Sequence, residues 1–65
     1  MNLRINGESK EFSGPYLLDL ISELGLEPSR IAVELNGNIV PRASFKETAL
    51  KDNDSLEIVH FVGGG

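Results

Sequence analysis

Two Asn-Gly pairs, Asn6-Gly7 and Asn36-Gly37, constrain this chain most, because each sits between short runs in which apolar and polar residues alternate. A type I′ turn needs positive φ at both central positions, which Asn and Gly adopt with little strain, and its twist matches that of an antiparallel strand pair. Residues 1–5 and 8–12 are therefore expected to form one β-hairpin. Residues 31–35 and 38–40 form a second, stopped by Pro41, which cannot donate a ladder hydrogen bond. Between the hairpins, Ser13-Gly14-Pro15 breaks the strand and opens a helix, with Pro15 expected in its first turn. Leu17, Leu20, Ile21 and Leu24 recur at helical spacing, with Asp19, Ser22 and Glu23 opposite them and Leu18 at the edge of the stripe. Gly25 is placed to end the helix. The apolar stripe must cover the sheet.

Residues 26–30, with Pro28, read as a connection, and Asp52-Asn53-Asp54 as a turn cluster. Residues 42–50 have no clean period; Phe45 and Leu50 are expected to pin a crossing loop or short helical turn onto the core. In the second hairpin Ile31, Val33 and Leu35 share one strand face, and Ala32 and Glu34 the other. The last strand starts near Ser55, and its parity is informative. Leu56 and Ile58 alternate with Glu57, so they face the core; Val59 and Phe61 then share Glu57's outward face, and His60 points inward near the end of the sheet. Two readings of Phe61 follow: a docking anchor left in water, or a ring covered by a bulge or by the helix edge. The order ββαββ(3₁₀)β suits an α+β fold in which a mixed sheet of about five strands packs on one helix, with the last strand central, beside and parallel to the first. That is the β-grasp arrangement of ubiquitin.

Composition narrows the function. Sixty-five residues suit one small domain, and the absence of cysteine removes disulfides, thiolate nucleophiles and cysteine-based zinc sites. Ten acidic against six basic residues give a net charge of −4, and the scattered Arg and Lys argue against nucleic acid. A basic protein surface would suit this charge better than nucleic acid, but for charge alone the favoured reading is that it keeps the domain soluble. No stretch approaches the roughly 20 apolar residues of a membrane helix, so the expected location is the cytoplasm, away from membranes. His60 has no second His and no Cys, which leaves neither a metal site nor a triad around it and favours a capped or half-buried structural histidine. No spacing nominates a catalytic carboxylate pair, so the chain is expected not to be an enzyme.

The stretch Val59-His60-Phe61-Val62-Gly63-Gly64-Gly65 runs an apolar strand into three glycines. They cannot form a phosphate-cradling loop, which leads into a helix, and they have no turn to serve. Residues 1–62 are read as the domain and residues 63–65 as a flexible tail slim enough to thread into a partner's active site. Its reactive group is the Gly65 α-carboxylate, with a reference pKa of about 3.3–3.7; ionised at neutral pH, it is a poor electrophile that a partner must activate.

The run Asn36-Gly37-Asn38-Ile39-Val40-Pro41-Arg42, the preceding strand 31–35, the stretch 54–59 and the terminal Gly64-Gly65 resemble the ThiS family of thiamin-biosynthesis sulfur carriers. The resemblance runs the length of the chain, with an extra Gly63 before the diglycine. It implies a β-grasp carrier whose Gly65 carboxylate is adenylated by an E1-like adenylyltransferase using ATP, then converted to a thiocarboxylate that gives its sulfur to thiazole synthase. It further implies that Val59, Phe61, Val62, Gly63 and Gly64 meet the partner enzymes and that no cofactor is bound by the chain itself. Lacking cysteine, the chain takes its sulfur from a persulfide-bearing donor protein. In the Pro-Arg pair, Pro41 is read as a strand stop and Arg42 as a surface charge. Two other readings remain: the small subunit of molybdopterin synthase, with the same tail chemistry, and a ubiquitin-like interaction module with an inert tail.

Overall fold

Five strands form one mixed sheet in a computed structural model that describes residues 1–61. Residue 62 and the expected tail at 63–65 lie outside the described residues. Strands β1 (Asn2–Ile5) and β2 (Glu8–Glu11) pair antiparallel, as do β3 (Ile31–Leu35) and β4 (Asn38–Val40). Strand β5 (Ser55–His60) lies between the hairpins, parallel to β1 and antiparallel to β3, giving the order β2-β1-β5-β3-β4. With helix α1 (Leu17–Glu23) packed on one face, this is the expected β-grasp arrangement. No helix among the described residues is long and apolar enough to cross a membrane.

Both hairpin turns have the backbone that their sequence requires: φ is +51° at Asn6 and +84° at Gly7, and +51° at Asn36 and +88° at Gly37. Their asparagines also do something the turns do not need. Asn6 Nδ2 donates to the Ile58 carbonyl at 3.1 Å, and the Ile58 N–H donates to Asn6 Oδ1 at 2.7 Å. Asn36 Nδ2 donates to Asp54 at 3.0 Å, and the Ser55 N–H donates to Asn36 Oδ1 at 3.0 Å. Each turn thus reaches sideways and clamps the central strand, one from either flank.

Helix α1 is short, so its ends carry much of its definition. The Leu26 N–H bonds the Ile21 carbonyl and the Gly25 N–H the Ser22 carbonyl, with Gly25 at φ +73°, which together make a Schellman cap. At the other end the expected placement of Pro15 is corrected: the helix begins at Leu17, and Pro15 precedes the cap residue Tyr16. The crossing segment explains this. The Leu50 N–H bonds the Pro15 carbonyl and Tyr16 bridges Ala49, which holds residues 15–16 extended. The Leu17 and Leu18 N–H groups, orphans of a first turn, donate to the carbonyls of Thr48 and Phe45 at 2.9 and 3.0 Å, and the Tyr16 N–H donates to the Asp19 carboxylate.

The stripe Leu17, Leu20 and Ile21 is fully buried against Leu3, Ile31, Val33 and Leu56, while Leu18 and Leu24 are partly buried at its edge. Phe45 and Leu50 are buried as anchors, beside a 3₁₀ turn at Arg42–Ser44 that fits the expected short helical turn. A second 3₁₀ turn, Pro28–Arg30, lies within the stretch read as a plain connection. β2 stops one residue short of expectation, and Phe12 turns into the core.

Candidate functional site

The helix covers only one face of the sheet, so what the strands present on the other face is the surface open to partners. The β3–β5 register pairs Ala32 with Val59 and Glu34 with Glu57, and the β3–β4 register pairs Glu34 with Ile39. Alternation puts these five side chains on the outward face, and all five are exposed. Ile39 is 75% exposed, Val59 57% and Phe61 50%, an apolar cluster of the kind that marks interaction surfaces.

Val59 and Phe61 therefore point where the parity of β5 places them, and neither a bulge nor the helix edge hides the Phe61 ring. The Phe61 N–H donates to the Arg30 carbonyl at 2.8 Å, carrying the β3–β5 pairing one step past the strand end. Its ring borders a shallow depression of about 220 Å³ shared with Ile39, Pro41, Arg42 and the edge of Phe45. The other expected site residues, Val62, Gly63, Gly64 and Gly65, lie outside the described residues.

Two residues of this face were not singled out from sequence, Ile39 and Ala32. The signal was there: a two-residue turn at Asn36-Gly37 sets Leu35 opposite Asn38, so Ile39 must sit opposite Glu34 and share its outward face. Arg42 is exposed, in keeping with its reading as a surface charge, and it also makes bonds that the sequence did not show. Its Nε donates to the Pro28 carbonyl at 3.0 Å and a terminal nitrogen reaches the Ser29 carbonyl at 3.4 Å, so it ties the two 3₁₀ turns together at the surface.

His60 needs a correction too. It is on the helix side, as parity requires, but exposed, because α1 ends too soon to cover the last turn of β5. The uncovered sheet there is the floor of an open depression of about 540 Å³ bordered by Ile5, Leu24, Leu26, Ile58 and His60. Among the described residues no group of three or more His, Asp or Glu side chains is arranged to hold a metal ion. Asp54, the buried carboxylate, is occupied structurally: it accepts from Asn36 Nδ2 at 3.0 Å and the Lys51 N–H at 2.9 Å, and Lys51 Nζ lies 3.5 Å away. Burial pushes its pKa up, but the hydrogen bonds from Asn36 and Lys51 and the Lys51 charge outweigh this and hold it below the ordinary value of 3.8.

The family model described as the ThiS family matches residues 3–65. The chain belongs to the ThiS family. The sulfur carrier protein ThiS of Bacillus subtilis is 39% identical over 97% of this chain and 98% of its own length. A protein named thiazole synthase from Paramagnetospirillum magneticum is 47% identical over the whole of this chain, which spans only 20% of that relative, and the same share holds for a thiazole synthase of Magnetococcus marinus. A crystal structure of the thiamine biosynthesis protein ThiS from Geobacter metallireducens superposes with a TM-score of 0.83 at 36% identity, covering both chains in full. The sheet order and the helix on one face are thus those of a ThiS fold.

Proposed function

We propose that this chain is a sulfur carrier for thiamin biosynthesis and that the Gly65 carboxylate carries the sulfur. The observation that carries this reading is the ThiS-family match through residue 65, which takes in the glycines that follow the exposed Val59 and Phe61. An E1-like adenylyltransferase docks on the outward sheet face through Val59 and Phe61 and draws residues 62–65 into its active site. The carboxylate attacks the α-phosphorus of ATP and pyrophosphate leaves, so a poor electrophile becomes an acyl-adenylate with a good leaving group. The terminal sulfur of a donor protein's persulfide then attacks the acyl carbon and AMP leaves; a second partner thiol attacks the donor-side sulfur of the resulting acyl disulfide, forming a disulfide there and releasing the thiocarboxylate, which is the nucleophile offered to thiazole synthase. The chain holds and presents; its partners catalyse.

Two observations favour thiazole synthase over molybdopterin synthase as the acceptor. Relatives along the full chain are named ThiS, and proteins named thiazole synthase contain a segment like this chain. ATP belongs to the activating enzyme in this reading, and the chain itself binds no cofactor.

The test is pyrophosphate release on mixing the chain with the activating enzyme of its own cell and ATP. Adding one alanine after Gly65 moves the carboxylate by about 3.3–3.6 Å, and Gly64→Val puts β-branched bulk into the channel. Both variants are expected to fold like the parent and release no pyrophosphate. Parent-like release from both would contradict the assignment of Gly65 and favour an interaction module with an inert tail.

A further inference from the structure

The outward face holds a charge arrangement that the fold alone does not explain. Glu34 and Glu57 stand directly opposite each other across the β3–β5 ladder, in the middle of the sheet. Like charges at directly opposed positions weaken a strand pair. The ion pairs among the described residues join the Met1 amine to Glu11, Lys10 to Glu23 and Lys51 to Asp54, and none includes Glu34 or Glu57. Apolar residues adjoin the two carboxylates on one side, where Ile39 flanks Glu34 on β4 and Ala32 and Val59 form the next outward pair; on the other side lie Asn36 and Ser55, with Arg4 paired to Ser55 on β1.

We propose that the Glu34–Glu57 pair is the specificity element of this face and that it receives an arginine of the activating enzyme while Ile39, Val59 and Phe61 pack into an apolar surface beside it. The inference rests on the carrier reading above and adds the chemistry of the partner. Opposed residues have Cβ atoms about 4.5–5.5 Å apart, so both carboxylates reach a single planar guanidinium, whose fork of donors serves two acceptors better than a lysine ammonium does. Association converts a repulsion in the free chain into two charge-assisted hydrogen bonds, and the longer-range attraction that brings the arginine to the exposed pair weakens as salt is added. The same pair repels nucleic acid, anionic membranes and acidic protein surfaces, so it selects as well as binds.

The test compares the parent with Glu34→Gln/Glu57→Gln in steady-state pyrophosphate release by the activating enzyme, alongside a thermal melt of each chain. The double variant is expected to raise the KM for the chain about tenfold with kcat unchanged, to melt no lower than the parent, and to lose most of the salt dependence of that KM. Each single variant is expected to show part of the effect. An unchanged KM overturns the proposal, and so does a raised KM accompanied by a lower melting midpoint, which makes the pair a folding element. A loss confined to sulfur delivery to thiazole synthase overturns the choice of occupant. Absence of pyrophosphate release with the parent is a different failure, that of the carrier reading.

Discussion

Asp54 is 3% exposed and charged, and its surroundings explain how the fold tolerates it. Two hydrogen-bond donors and the Lys51 ammonium meet a carboxylate that burial alone would push toward its protonated form. Its pKa is lower in the folded chain than in the unfolded one, so through the acid range the unfolded chain binds more protons and stability rises with pH. The contribution is complete above the ordinary value of 3.8 and disappears as pH falls through the lower folded value. Asp54→Ala is expected to cost about 1–3 kcal/mol at pH 7, since it leaves the donors of Asn36 and Lys51 without their acceptor. Urea unfolding at pH 7 and near pH 2 checks this: the gap between parent and variant must narrow at the lower pH, and an equal gap at both would remove the charge from the account. Sequence showed the turn at residues 52–54, where Asn53 sits at φ +71°, because Asp and Asn favour turns locally. It did not show that Asp54 is the buried member, because that depends on Asn36, eighteen residues away.

The same division between local and distant causes runs through the elements. Both Asn-Gly turns, the stripe of α1 and its Gly25 stop were legible, because each follows from the dihedral or periodicity preferences of adjacent residues. The start of α1 was not, since the Ala49 and Leu50 pairing that holds residues 15–16 extended comes from the crossing segment. Nor was the clamp of Asn6 on Ile58, which joins residues 52 positions apart. This clamp separates two roles of one residue. Asn6→Gly keeps a backbone suited to positive φ and removes only the side chain, so a turn role alone would cost a few tenths of a kcal/mol at most. Loss of two bonds to the central strand is expected to cost about 1–3 kcal/mol in urea unfolding.

At the scale of the molecule, one helix covers one sheet face and leaves the other exposed, and the central strand β5 closes the described fold at His60. The β-grasp order was legible because two hairpins, one helix and a final alternating strand leave few ways to bury a single core. The outward Val59 and Phe61 followed from the same alternation. Ile39 and the opposed Glu34–Glu57 pair required the register between strands, which a residue-by-residue pass along β4 and β5 does not supply. The central claim of the proposed function is that the Gly65 carboxylate carries sulfur. Intact-mass and fragmentation mass spectrometry of the chain purified from its own cells, rapidly and without reducing acid, tests it most directly. The account predicts a fraction heavier by one oxygen-to-sulfur exchange, localised to Gly65 and lost when the activating enzyme is deleted. A chain that never carries that exchange in cells actively making thiamin, or that carries it at any other residue, would contradict the account.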